Sequence, residues 1–458
     1  MTILVGSRHE GYGEAGMAHL LEHMLFKPTA KHPQPDRDLQ ERGADYNGTT
    51  WVDRTNYYET LPASDENLEF AIGWEADRLV NCPIKAEDLA SEMTVVRNEF
   101  EMGENSPKGV LEQRMFATAF EWHNYGKSTI GNRADIERVP ADSLRVFYKK
   151  YYRPDNVVLF VGGRIDEAKV VSLVQKYFGP IPKPAEPIRS TYTEEPAQDG
   201  ERVVTLRRVG KVAATGVLYH IPSAADPDFA AVSVLEAILS ADKTGRLYKA
   251  LVERRRAAKV EGVAYAWHDP SGMMFTAEVA AGNEPNAIAE GMIDTIESVV
   301  EKGVTEEEVV RARRTLLKLW DQQSTDTPKF LVGLTEWAGA GDWRLAFLFR
   351  DRLGKVTLDD VNRVAKKYLR TSNRTVGVYL PVTEPQRTPV EATPDIAALV
   401  KDYKGKPEYS IGEVFDPSPS AIEARVKRST VDGVKVALLS KKNRGGSVVL
   451  KVNLRYGT

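Results

Sequence analysis

Two histidines and a glutamate stand together near the start of the chain, in His19-Leu20-Leu21-Glu22-His23. On a helix, residues i and i+4 share a face, so both imidazoles can reach one ion. Glu22 falls three residues after His19 and one before His23, beside that ion, where a carboxylate can poise a water as general base. The order is the inverse of the commoner zinc-protease helix motif. Two imidazoles leave a catalytic zinc one protein ligand short. The missing donor is expected to be acidic and to sit on another helix. Glu99 is the best candidate, in Glu92-Met93-Thr94-Val95-Val96-Arg97-Asn98-Glu99, with Glu92 two turns back on the same face. The competing reading is an amphipathic helix with two surface histidines. It must explain two His and a Glu on an otherwise apolar helix, which are costly to bury without a purpose.

The chain around these residues has 458 positions, with 62 basic and 65 acidic side chains and a net charge of −3. Near-neutral charge gives no reason to expect nucleic acid or an anionic membrane as partner. Apolar residues make up 42%, which excludes bulk disorder. No apolar run approaches the ~18 residues of a membrane span. Cys82 is the only cysteine, so no intrachain disulfide can form.

Self-comparison shows how the candidate residues are positioned. A shift of 214 places Leu21-Glu22-His23-Met24-Leu25 on Leu235-Glu236-Ala237-Ile238-Leu239, Glu92 on Glu306, and Val95-Val96-Arg97 on Val309-Val310-Arg311. Further on, a shift of 217 places Val139, Asp142, Lys149, Lys150, Tyr151, Arg153 and Asn156 on Val356, Asp359, Lys366, Lys367, Tyr368, Arg370 and Asn373. Three blocks in one order indicate two modules of the same fold, 1–195 and 196–385. The shift of 214 carries His19 to Ser233, His23 to Ala237 and Glu99 to Arg313. All three proposed ligands are replaced together while the apolar frame is kept, so one module is expected to bind metal and the other not.

Apolar spacing predicts helices over 13–26, 65–81 and 85–104 in the first module, and over 228–240, 284–302 and 305–322 in the second. Strands are predicted at 57–61, 157–161, 202–208, 213–221 and 273–281. Strand groups and helix groups do not strictly alternate, so the fold class is α+β, a tandem of two α/β sandwich modules, rather than a doubly wound sheet. Residues 386–425 are rich in proline and read as an extended linker. In 426–458, strands are predicted at 433–439 and 447–456, with a turn at Asn443-Arg444-Gly445-Gly446. The last residues, Arg455-Tyr456-Gly457-Thr458, resemble the first, Leu4-Val5-Gly6-Ser7. This predicts the opening hairpin of a third, truncated module, and a first module that lacks the same hairpin.

The helix motif, the second glutamate beyond it and the tandem module resemble the pitrilysin/insulinase family of inverted zinc peptidases. Gly43-Ala44-Asp45-Tyr46-Asn47-Gly48-Thr49-Thr50 followed by Thr55-Asn56-Tyr57-Tyr58 is similar to that family's active-site edge strand. His123-Asn124-Tyr125-Gly126 resembles its loop after the ligand helix, and Tyr151-Tyr152-Arg153-Pro154-Asp155-Asn156 the entry to its last strand. The resemblance implies that His19, His23 and Glu99 bind one Zn2+ per chain and that Glu22 activates the water. It implies that Glu92 is a supporting carboxylate, and that Asn47 hydrogen-bonds the substrate backbone. The implied activity is zinc-dependent metalloendopeptidase action on peptides or unfolded polypeptides, taken up as a strand at a sheet edge.

Family enzymes use two double modules, in one chain or two, closing around a chamber, and the far half supplies an Arg and a Tyr. This chain holds one double module, so the N-terminal half of a longer chain is expected, with a second half as partner for full activity. Arg246, Tyr248 and Tyr265 do not stand at the family's spacing and read as structural, as do Trp122 and His123. The alternative function is an inactive peptide-binding or structural homologue. A bacterial periplasm or cell envelope is expected over the cytoplasm, though no residue specifies it.

Overall fold

The computed structural model describes residues 1–404, 413–442 and 448–454. Met1–Pro385 forms one compact unit and Gln386–Thr458 a second. In chain order, the first part of the large unit contains β1 (Thr2–Ile3), α1 (Met17–Met24), α2 (Pro35–Glu41), β2 (Asp45–Thr50), β3 (Thr55–Thr60), α3 (Asp65–Asn81), α4 (Ala86–Glu104), α5 (Pro107–Ala119), α6 (Arg133–Ile136), α7 (Ala141–Tyr151), β4 (Val157–Val158) and α8 (Glu167–Tyr177). The second part contains β5 (Arg202–Val209), β6 (Ala214–Ile221), α9 (Phe229–Ser240), β7 (Ala257–Ala264), β8 (Ser271–Val279), α10 (Pro285–Lys302), α11 (Glu306–Ser324), α12 (Thr327–Gly339), α13 (Leu345–Leu353), α14 (Leu358–Tyr368) and β9 (Arg374–Val382).

The two sheets share one plan. The first has the order β2-β3-β1-β4 and the second β7-β8-β6-β9-β5, so β1 to β4 correspond to β6 to β9. All neighbours are antiparallel except β5 and β9. Among the described residues the first sheet has no counterpart of β5. Its β1 pairs over two residues where β6 pairs over eight with β8. This corrects the strand predicted over 157–161: only Val157–Val158 is paired, because β1 offers a ladder no further. Beyond that point residues 159–163 and Tyr58–Thr60 wall a cleft of about 570 Å³ over Met1, bounded by Leu331 of α12.

Apolar periodicity sets the layers. Leu20, Leu21 and Met24 of α1 are buried with Ile3 and Tyr57 from the sheet, Val5 just beyond β1 and Leu144 from α7. Val234, Leu235 and Ile238 of α9 hold the matching places in the second core, with Val217 and Phe275. Burying such side chains contributes about 1.5–3 kcal/mol each, which explains why this frame repeats while the polar positions diverge. Helix α5 joins the modules: its Leu111, Met115 and Phe116 are buried with Leu218, Met274 and Tyr379 of the second sheet. Met115 fits only because Gly377 lies beneath it, where a Cβ would stand 2.5 Å from the sulfur.

Helix α1 starts at Met17, not at 13 as predicted. Gly13 and Gly16 are left-handed, with φ of 79° and 100°, and a helix cannot propagate through them. The freed first-turn amides of Gly16 and Ala18 donate to the buried Glu10 carboxylate, at 2.9 and 2.8 Å. Accepting these two otherwise unpaired amides, Glu10 fixes where the motif helix begins, even though burial pushes its pKa up to about 8.

In the small unit the proline-rich stretch includes two short helices, α15 (Ile396–Val400) and α16 (Pro419–Arg425). The expected hairpin is composed differently from the prediction. Strand β10 (Val426–Val431) pairs with β11 (Val434–Leu439) across Asp432-Gly433. Both turn residues are left-handed, at φ 48° and 82°, the geometry that lets Asp-Gly close a two-residue hairpin. The turn predicted at 443–446 lies outside the described residues. Of the predicted strand at 447–456, residues 448–454 carry no regular structure and the remainder lies outside the described residues.

Candidate active site

The three proposed ligands converge, and two helices bring them together. On α1 the buried stripe Met17, Leu20, Leu21 and Met24 faces the core, so His19, Glu22 and His23 share another face at helical spacing. On α4, Leu89 and Val96 are buried, and Met93 and Phe100 pack on the same core. Anchoring that stripe turns Glu92 and Glu99 together toward α1. Glu99 Oε2 lies 3.6 Å from His19 Nε2 and 3.6 Å from His23 Nε2. One donor atom from each of the three residues falls within 4.8 Å of the others. Around a tetrahedral zinc with bonds of about 2.0–2.1 Å, donors stand about 3.3 Å apart, so this donor set fits the ion. Burial, with His23 adding repulsion, pushes His19 down to about 4. It is therefore neutral at physiological pH, as a ligand must be.

Glu92 takes the supporting position. Its Oε2 lies 3.0 Å from His23 Nδ1, which fixes the ring and leaves Nε2 for the ion. Its other oxygen accepts from Lys27. His19 is supported differently: its buried Nδ1 has no partner among the described residues.

Glu22 is buried beside the trio and accepts from Thr50 Oγ1 at 2.6 Å. Burial raises its pKa, with the Glu99 carboxylate adding to it. The Thr50 bond and the charges of His23 and Arg54 act the other way. Thr50 and Gly48 are alternate residues of β2 and so face the same side. A Cβ at Gly48 would stand 2.9 Å from Glu22 Cγ and 3.0 Å from Phe26 Cε2. Neither residue was singled out from the sequence, although a signal for Gly48 existed: the shift of 214 carries it to Gly262. There a Cβ would meet Glu236 Oε1 at 2.5 Å. The Glu–Gly contact is thus a packing device of both modules. What sets the first module apart is the donor trio, since Ser233 instead donates to Phe229 O at 2.9 Å and Arg313 to Val356 O at 3.0 Å. A Gly48→Ala chain is expected to fold and bind zinc but to lose about 100-fold in kcat/KM, because the methyl displaces Glu22 by a fraction of an ångström. Peptide kinetics beside zinc content checks this.

Asn47 is exposed and lines a cleft of about 570 Å³ with Glu22, His23, Phe26 and Glu92. Strand β2 is the edge of its sheet, paired only with β3. The Trp51 N–H bonds Arg54 O at 2.9 Å. Counting back by twos, residues 49 and 47 bond β3, while Thr50, Gly48 and Tyr46 turn their backbone groups to the free side. The Gly48 N–H on that side is taken by Asn47's own Oδ1 at 2.9 Å.

The residues read as structural are engaged elsewhere. Arg246 bonds both oxygens of Glu308, at 2.9 and 2.7 Å. Tyr265 lies against Phe116 and Trp267, and His123 Nε2 lies 3.0 Å from Asp269. Tyr248 is half-buried and Trp122 is exposed.

The chain resembles known proteins along most of its length. Residues 1–133 match the family model described as insulinase (peptidase family M16), and 138–316 the one described as the peptidase M16 inactive domain. Every candidate site residue lies in the first match. The zinc protease PqqE of Helicobacter pylori is 28% identical over 388 residues, covering 81% of this chain and 84% of that one. An uncharacterized zinc protease of Mycobacterium tuberculosis is 27% identical over 379 residues, covering 80% and 84%. Among solved structures, a protease from Helicobacter pylori superposes with a TM-score of 0.79 at 25% identity, over 83% of this chain and 93% of that one. The periplasmic protease PqqL from Escherichia coli gives 0.66 at 16% identity, over 96% of this chain and 52% of that one. With two adjoining M16 models across 1–316 and relatives of this kind along most of its length, the chain belongs to the insulinase family, M16, and has its α+β fold.

Proposed function

We propose that this chain is a zinc metalloendopeptidase that hydrolyses peptides or unfolded polypeptides. The observation that carries the reading is the convergence of His19, His23 and Glu99 donor atoms next to the buried Glu22 carboxyl. Bound there, zinc would lower the pKa of a water toward ~7 and polarise the scissile carbonyl. Glu22 takes the water's proton and returns it to the leaving amine, held to that task by Thr50. Glu92 keeps the His23 ring oriented. The substrate adds as a strand along the free side of β2, and Asn47, released from Gly48 N–H, bonds the substrate backbone. A second double-module half, in the same longer chain or as a partner subunit, would complete the chamber.

A homologue that holds peptides without cutting shares the β2 edge, and Glu236 shows that a buried Glu beside a Gly does not require metal. The donor trio has no use in such a protein, and this favours hydrolysis. The test is cleavage of an unstructured fluorogenic peptide by the zinc-loaded chain, with and without a downstream half. Loss with chelator and recovery with zinc support the reading, and zinc binding without cleavage in either condition overturns it.

Replacing Glu92 by Gln is expected to weaken zinc binding about 10–100-fold, since the His23 ring loses its charged partner. Competition with a chromophoric chelator measures it.

A further inference from the structure

The β2–β3 hairpin belongs to the metal-donor module, yet its tip is held by the other module. The buried Arg54 bonds Glu336 on α12, with Nε at 3.0 Å and Nη2 as well. Its third nitrogen turns back, Nη1 donating to Thr49 O at 2.7 Å and Thr49 Oγ1 at 2.9 Å. One guanidinium therefore ties the residue between Gly48 and Thr50 to a helix of the module without donors. Asn56 Nδ2 donates to Thr335 Oγ1 at 2.7 Å, and that hydroxyl donates to Val332 O at 2.6 Å. At the turn, Asp53 accepts from His268 N–H at 3.0 Å. The approach of α12 is built in: at Gly339 a Cβ would stand 2.8 Å from Arg54 Cγ.

We propose that the second module acts as a jig for the first, with Glu336 and Thr335 as positioning residues. Acting through Arg54 and Asn56, they hold β2 against Glu22 and keep its free edge straight for an incoming strand. A planar, always-charged Arg suits this, because its fixed fork bonds a carboxylate and a backbone carbonyl at once. The functional meaning rests on the peptidase reading above, but the positioning itself is read independently of catalysis.

The test is hydrogen–deuterium exchange on the full zinc-loaded chain carrying Glu336→Ala, Glu336→Gln or Thr335→Val. Asp342→Asn, which removes only the exposed ion pair with Arg344, is the control. The ladder amides of Asn47 and Thr49 are expected to exchange about tenfold faster in Glu336→Ala. The effect is smaller in Glu336→Gln, which keeps an acceptor for Arg54. Exchange in β7 and β8, zinc content and the control stay unchanged, and kcat/KM falls in the same rank order. Unchanged exchange in β2, or equal acceleration in both modules, overturns the proposal. If Glu336→Ala fails to fold, Glu336→Gln and Thr335→Val carry the comparison. A wild-type chain that cuts no peptide counts against the peptidase reading and leaves the exchange result standing.

Discussion

A Glu22→Gln chain is expected to keep its zinc and its fold while losing peptide hydrolysis by roughly 10²–10⁴-fold, the usual worth of a positioned general base. The substitution is isosteric, so the close fit against Gly48 and Phe26 is undisturbed. Thr50 Oγ1 can still donate to the remaining carbonyl oxygen, and none of the three donor residues is touched. Only the proton-accepting oxygen is gone. The buried Glu236 of the second module makes the comparison informative, because Glu236→Gln should leave hydrolysis unaltered. Initial rates on an unstructured peptide, at matched zinc content, decide it. Full activity in Glu22→Gln, or an equal loss in Glu236→Gln, would show that this carboxyl only packs.

Removing a donor acts on the ion itself. Glu99→Gln or His23→Ala is expected to weaken zinc binding by more than about 100-fold, since a direct ligand is worth more than the 10–100-fold of an outer partner. Stability follows by mass action. Zinc at a thousandfold excess over its Kd stabilises the folded state by about 4 kcal/mol, and a 100-fold weaker site by no more than about 1.4 kcal/mol, so chelator should lower the melting temperature of the wild type much more than that of Glu99→Gln. Arg313, which replaces this donor in the second module, bonds Val356 O and ties α11 to its own core. Substituting it should alter stability without altering zinc. Calorimetric titration with zinc, and melting with and without chelator, measure both. Equal affinity in Glu99→Gln would remove Glu99 from the site.

Much of this site was legible in the residue types because helices bring positions together at fixed spacing. His19, Glu22 and His23 needed only the period of α1, and Glu92 and Glu99 only that of α4. The repeat made the rest sharper by showing which polar positions the apolar frame does not require. What stayed hidden depends on strand pairing and on contact between modules. Thr50 faces Glu22 only because β2 crosses over α1, and Glu336 reaches Arg54 from 282 residues away. Local turn chemistry hid a strand. Asp432-Gly433 closes a hairpin with left-handed residues, so Val426–Val431, not predicted as a strand, pairs with β11. Glycines also hid a boundary, since Gly13 and Gly16 sit inside the predicted helical stretch and postpone α1 to Met17.

Anomalous diffraction at the zinc edge from crystals of the zinc-loaded chain tests the central claim most directly. The account predicts one peak per chain, within about 2.0–2.2 Å of His19 Nε2, His23 Nε2 and a Glu99 oxygen, with Glu22 beside it and unbonded. A peak elsewhere, or no peak between these three side chains, would contradict it.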